Sequence, residues 1–369
     1  MRVYQCIHKY GPHIPFFEKK YGVTDDVDFE TLRALIVEDG YASVYVLLPA
    51  LEHKNDEVFF TVWDYDRLQL AWARENGLTT ADLDEIKLAQ IEQLQPDVFY
   101  NFSAFADGEF INKLGKKKNR IDLCWNAIIK EEPRTRFEYD GHITLHRPFV
   151  EKWRMMGLAA CELQPAIPPM WIHRAIPNRT IDVLFYGVYE RCLHNSRNSV
   201  VDALIDFKKR TWSDIRCHLE YWEQRPALFP KVRWPRWPIV TFPPKAVRHN
   251  ASRPLYGDSL YDAISRSRIV VNGYSDNNHE FKSNMRLFEV IGLGAFLISE
   301  EGNYPDGFEP GVDFYTYRSI PELIAQIERV LADWPKHCEI ARRSQRKIAA
   351  LYSKQRQWNE FQKFITSLC

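Results

Sequence analysis

The stretch NGYSDNNHEFKSNMRLFE, from Asn272 to Glu289, gathers residue types that bind phosphates and hydroxyl groups. It follows a β-branched run, Arg268–Val271, and enters an apolar-periodic one, so it reads as a loop that leaves a strand and starts a helix. Ser283 or Asn284 suits the cap of that helix. The N–H groups of its first turn then make a diphosphate site, to which Arg286 adds a fixed positive charge. Glu289 lies on nearly the same helix face as Arg286. At about 1.5 Å per residue it stands roughly 7–8 Å along the axis from the cap. That is the reach from a nucleotide's diphosphate to its ribose, whose two hydroxyls a carboxylate can accept. The same spacing also permits an ordinary ion pair between Arg286 and Glu289 on an amphipathic helix.

Two further loops carry candidate groups. After the strand Ile181–Tyr186, Gly187 lets the backbone approach a ligand, and Asn195 or Ser196 can cap the next helix. Arg191 and Arg197 are candidate clamps on the diphosphate, or simply solvated arginines at a helix start. After the first strand comes His8-Lys9-Tyr10-Gly11-Pro12-His13, where Lys9 can meet phosphate and His13 can act as a base near neutral pH. A lone loop histidine also serves as plain surface. Asp64, Asn101, Asn126 and Glu131 sit at strand ends, and no spacing rule selects among them. The segment Leu228–Pro238, LFPKVRWPRWP, either stacks a sugar or base on its tryptophans or is a proline-stiffened loop packed on its domain. P-loop, HExxH, GxSxG and GxGxxG patterns are absent. Asp64-Tyr65-Asp66 is formally DxD and reads as a strand-end and helix-cap pair.

The elements that must position these groups alternate between strand and helix, which implies an α/β fold with parallel sheets. Strands are expected at Val3–Ile7, Glu57–Trp63, Asp97–Phe102, Arg120–Trp125 and His142–Leu145. Helices are expected at Asp26–Glu38, Asp66–Asn76, Thr80–Leu94 and Arg147–Met156. Ala42–Leu51 fits a helix better than a strand, despite Pro49. Gln164–Pro169 reads as a proline-stiffened linker, after which the alternation restarts. Strands are expected there at Ile181–Tyr186, Asp214–Leu219, Arg268–Val271 and Ala295–Ser299, and helices at Ser196–Lys209, Gly257–Ser265, Asn284–Leu293 and Pro321–Leu331. A final helix near Ser353–Ser367 presents Trp358, Phe361 and Phe364 as an apolar stripe.

Bulk properties narrow the class. At 369 residues the chain exceeds one ordinary core. With 45% hydrophobic and 27% charged residues it has a globular composition. Lys plus Arg and Asp plus Glu are 49 each, so net charge favours neither nucleic acid nor an anionic membrane. The scattered cysteines Cys6, Cys124, Cys161, Cys192, Cys217, Cys338 and Cys369 form no CxxC pair, as expected of reduced thiols in the cytoplasm. The N-terminal residues lack a signal-peptide pattern, and no apolar run approaches the roughly 18 residues that span a bilayer.

The ordered set MRLFEVIGLGAFLISE, FEPGVDFYTYRSIPELIAQIERVL and ARRSQRKI resembles the C-terminal domain of CgeB/YkvP-type glycosyltransferases. That family's pattern falls here on Arg286, Phe288, Glu289, Gly294, Ile298, Gly311 and Asp313, and then on Ser319, Glu322 and Leu323. The match covers about Leu255–Leu351, with a weaker echo in the first half. The resemblance implies a GT-B fold, two Rossmann-like domains facing each other across a cleft. It gives an acceptor domain over 1–165, a nucleotide-sugar donor domain over 178–350, and a helix in 351–369 that returns to the first domain. It implies transfer of a sugar from a nucleoside-diphosphate donor to an acceptor hydroxyl, with no metal and no other cofactor. The donor would lie on Gly187, Arg191, Arg197, Ser283, Asn284, Arg286, Glu289 and Lys9, with Glu289 on the ribose. Many retaining GT-B enzymes carry a second Glu eight residues before the ribose Glu; that position is Phe281 here, and Glu280 is out of register. The acceptor, whether glycan, protein or small molecule, is left open, as are a GT-B epimerase and a non-catalytic nucleotide- or sugar-binding scaffold.

Overall fold

The computed structural model describes residues 1–47, 56–104, 106–107, 109–126, 138–174, 176, 178–191, 194–223, 244–274 and 280–369. The chain forms two compact units, Met1–Pro168 with Tyr352–Cys369, and Pro169–Leu351.

The first unit comprises β1 (Arg2–Ile7), α1 (Ile14–Tyr21), α2 (Phe29–Asp39), β2 (Glu57–Val62), α3 (Asp66–Glu75), α4 (Leu83–Leu94), β3 (Val98–Asn101), α5 (Phe110–Leu114), β4 (Ile121–Trp125), β5 (Gly141–Thr144), α6 (Arg147–Met155) and β6 (Ala160–Glu162). Its sheet runs β2-β1-β3-β4-β5-β6, parallel throughout. The strands are nearly continuous apolar runs because helices cover both faces; Val3, Val98, Leu123 and Ile143 are fully buried. Asp28 and Asp82 cap α2 and α4 by accepting from N–H groups of their first turns.

The second unit comprises α7 (Pro169–Ile172), β7 (Ile181–Arg191), α8 (Asn195–Arg210), β8 (Ile215–Glu223), α9 (Lys245–Asn250), α10 (Gly257–Ser265), β9 (Ser267–Asn272), α11 (Met285–Gly292), β10 (Phe296–Glu300), β11 (Tyr315–Tyr317), α12 (Ile320–Ala332) and α13 (Trp334–Leu351). Its parallel sheet runs β11-β10-β9-β7-β8. From β7 the chain passes through α8 to β8 on one side, and from β9 through α11 to β10 on the other. Strand order therefore reverses between β7 and β9, which pair as far as Leu184 and Val270.

The last helix, α14 (Lys354–Thr366), belongs to the first unit. Trp358 and Phe361 are fully buried in its core, with Phe361 5.3 Å from Tyr100 ring to ring. Lys354 is buried too, donating to the carbonyls of Ser43 and, at 2.7 Å, Val46.

The expectation of a helix over Ala42–Leu51 does not hold for its described part. Residues 41–45 form turns, and Ala42 takes a left-handed φ of 49°; the remainder from residue 48 lies outside the described residues. Leu228–Pro238 and Glu131 also lie outside them. Among the described residues five helices and two strands were not anticipated: α1, α5, α7, α9, α13, β6 and β11. In α1 a proline occupies the first turn, where its missing N–H costs nothing.

Candidate functional site

In an open parallel sheet a ligand binds outside the carboxyl ends of the strands where their order reverses. In the second unit that place lies between β7 and β9. Asn272 ends β9 and is fully buried. Its Oδ1 accepts from Arg286 Nη1 at 3.0 Å and from Asn284 Nδ2 at 3.3 Å. Its Nδ2 donates to Ser299 Oγ at 3.2 Å, and its carbonyl accepts from the Tyr317 hydroxyl at 3.2 Å. One strand-end amide thus ties together β9, β10, β11 and the start of α11. Asn284 is the N-cap of α11, its side chain accepting from Leu287 N at 3.2 Å, and Ser283 beside it is buried.

Arg286 is seated by β7. Its guanidinium lies 4.4 Å from the centre of the Tyr186 ring. A Cβ placed on Gly187 would stand 3.0 Å from Arg286 Nη2, and Gly187 has a φ of 146° that other residues rarely adopt. Both the space and the backbone therefore call for glycine there. Across the gap, Arg197 in the first turn of α8 packs on Gly273, whose Cβ would lie 3.3 Å from Arg197 Cγ. The structure brings Gly187, Arg197, Ser283, Asn284, Arg286 and Glu289 to one strand-end region. Arg191 closes β7, and its side chain lies outside the described residues.

Glu289, one helical turn beyond Arg286, is 1% exposed. Its Oε2 accepts from the Tyr186 hydroxyl at 2.7 Å, and its Oε1 has no partner among the described residues. Burial pushes this carboxyl above the usual carboxylate range, against the Tyr186 hydrogen bond and the Arg286 charge. Burial and the neighbouring Glu289 charge push the Tyr186 phenol well up, so it stays a donor. The ion pair that the spacing also allowed is not formed as a contact. Arg286 bonds Asn272, and its charge reaches Glu289 only through space. The region therefore offers cationic and N–H donors for an anion, and one naked carboxylate oxygen for a hydroxyl.

A cleft of about 430 Å³ adjoins it, lined by Ser196, Ser199, Glu300, Glu301, Tyr317 and Arg318 among others. Glu300 is held between Tyr274 N at 2.9 Å and Lys282 Nζ at 3.2 Å.

In the first unit the two sequence candidates have other commitments. His13 precedes α1 and is 5% exposed. Its Nε2 lies 2.9 Å from Asp39 Oδ2, and its ring stacks on Tyr41 at 5.3 Å. Burial raises the Asp39 carboxyl, but bonds from His13 and Lys20 outweigh it and leave it below its ordinary value. His13 so anchors α1 to α2, and a base must instead reach its substrate. Lys9 Nζ pairs with Asp66 at 2.8 Å, and its N–H donates to Asp64 at 2.5 Å. His8, in the same loop, is half-buried, with Nδ1 2.9 Å from Ser103 Oγ. Burial lowers its imidazole below its ordinary value, against the pull of Asp64 and Asp107. Tyr186 and Asn272 were also missed as site residues. Asn272 ends β9, and the strand expected at Ile181–Tyr186 runs on to Arg191, which leaves Tyr186 sixth of eleven residues in β7.

Residues 198–363 match the family model described as glycosyl transferase-like. No curated protein matches the sequence. Among solved structures, a glycosyltransferase from Rickettsia africae aligns at TM-score 0.56 and 9% identity, over 99% of this chain and 98% of that one. HepE of Anabaena in complex with UDP-glucose aligns at TM-score 0.51 and 12% identity, over 100% of both chains. TarM aligns at TM-score 0.52 and 10% identity over 77% of this chain, which spans 58% of TarM. At these identities the likeness speaks for the fold. The chain has the GT-B α/β fold, built of two parallel-sheet units, and residues 198–363 carry the glycosyl transferase-like family pattern.

Proposed function

We propose that the protein is a glycosyltransferase whose second unit binds a nucleoside-diphosphate sugar and passes the sugar to an acceptor hydroxyl. The observation that carries this reading is the buried, unpartnered Oε1 of Glu289 beside Arg286 at the strand-order reversal. In this reading the N-terminus of α11, Arg286 and Arg197 hold the diphosphate, and Glu289 Oε1 accepts from the ribose. The adjoining cleft supplies hydroxyls and carboxylates to the sugar. The glycosyl transferase-like match and the UDP-glucose complex of HepE support it. The ordered motifs from Arg286 to Leu323 support the CgeB/YkvP-like subtype, and the scattered cysteines support a cytoplasmic setting.

The acceptor oxygen bonds to the sugar's C1 as the bond from C1 to the diphosphate oxygen breaks, and the nucleoside diphosphate leaves with that electron pair. Fixed cationic and N–H donors stabilise the departing charge, a role for which we propose no metal. The acceptor's proton passes to the departing diphosphate or to water.

Calorimetry with UDP, GDP and 2′-deoxy-UDP, and turnover of a panel of nucleotide sugars, both in chelator, test the main reading. The ribonucleotide should bind about tenfold more tightly than its deoxy form, and Glu289→Gln should erase that preference and the turnover. Equal binding of both forms by the native protein, or full activity of Glu289→Gln, would overturn it.

A further inference from the structure

Glu289 and Arg286 are both steadied by one residue that the donor reading leaves without a role. Tyr186 is the sixth residue of β7, 7% exposed and on the strand that borders the reversal of strand order. Its hydroxyl holds Glu289 Oε2 at 2.7 Å, and its ring face carries the Arg286 guanidinium at 4.4 Å. We infer that Tyr186 is the positioning residue of the site: it occupies one oxygen of Glu289, so that the other alone meets the ligand, and seats Arg286 on its ring. This rests on the donor-site reading above and adds to it the source of the site's ribose discrimination.

A carboxylate in an apolar pocket with both oxygens bare would turn between rotamers and take up a proton. The phenol opposes both, because it donates to the ionised form and comes from β7, which at Tyr186 is paired with β8. Tyr186 from β7 and Arg286 from α11 itself are the charged or titratable groups acting on Glu289 among the described residues. The other elements packed on α11, namely α10, α13, β9 and β10, bring none. Removing the phenol therefore leaves only Arg286 to oppose protonation.

The test compares UDP and 2′-deoxy-UDP binding across pH in the native protein, Tyr186→Phe, Tyr186→Ala, Glu289→Gln and the double variant Tyr186→Phe/Glu289→Gln. Phe keeps the ring and the seat of Arg286. Tyr186→Phe should bind UDP roughly tenfold more weakly and 2′-deoxy-UDP as before, with its acid loss of UDP binding starting at a higher pH. Tyr186→Ala should weaken both ligands. In the double variant the Phe change should have no further effect on ribose preference. The inference fails if Tyr186→Phe keeps native preference and pH profile, or weakens both ligands alike. It fails too if the Phe change lowers ribose preference equally with and without Glu289. A melting temperature within a few degrees of native verifies the fold of each variant. A native protein indifferent to the 2′-hydroxyl, or Glu289→Gln with its preference intact, would instead defeat the donor-site reading itself.

Discussion

A buried carboxylate oxygen without a donor costs about 1–3 kcal/mol, and the second unit keeps one at Glu289. Because its pKa is raised in the fold, the native state holds this proton more tightly than the unfolded chain. Its stabilising contribution is present when the group is protonated, below the unfolded value, and is lost as pH rises through the raised folded value. Glu289→Gln should accordingly melt a few degrees higher than the native protein at pH 8 without ligand, with the gap closing toward pH 4. A gap that is constant with pH, or reversed, would show that the charge carries no such cost. Asp39 has the opposite sign: its pKa is lowered, so its contribution is present above the ordinary carboxylate range and fades as pH falls below it. At this scale the sequence was informative where a helix sets the spacing, as for Arg286 and Glu289. It was silent on Tyr186 and Asn272, whose partners lie on strands and helices far along the chain.

Elements are held at their ends as much as by their faces. Arg179, buried just before β7, donates to the carbonyls of Ser265 at 2.7 Å, Ser267 at 2.9 Å and Gly294 at 2.6 Å. Longer bonds reach Ile264 and Leu293. Apart from Ser267, which opens β9, these carbonyls lie where α10 and α11 finish, the negative ends of both helix dipoles. Burial lowers the guanidinium pKa to about 10, still high enough to keep it charged at neutral pH. Arg179→Met leaves those carbonyls bare and should cost about 2–4 kcal/mol, read as a lower urea midpoint at unchanged slope; an unmoved midpoint would deny the clamp. Arg179 drew no notice in the sequence because one arginine before a strand looks like any other. Helices with a strong apolar period, such as α10 and α11, were legible to within a residue or two at their ends. Long but charged α13 was not, since its buried positions include Ser344 and Gln345, polar side chains that satisfy themselves on neighbouring backbone. The three-residue β11 is too short to show any period.

For the whole molecule, the alternation of strands and helices disclosed parallel sheets, but not their strand order, which depends on non-local pairing. The strand-order reversal between β7 and β9 therefore became visible only in three dimensions, and with it the reason that residues of β7, α8 and the β9–α11 connection meet in one region. The first unit has a further property: it is discontinuous, with α14 filling its core from beyond the second unit. Trp358 and Phe361 are as buried as any strand residue there, so the unit is incomplete without them. On the ribosome, β1 to β6 emerge first yet must wait while the entire second unit is synthesised, on the order of ten seconds or more at typical rates. During that interval a parallel sheet with an uncovered apolar face is exposed to the cell, which makes this half of the nascent chain the natural client of a chaperone.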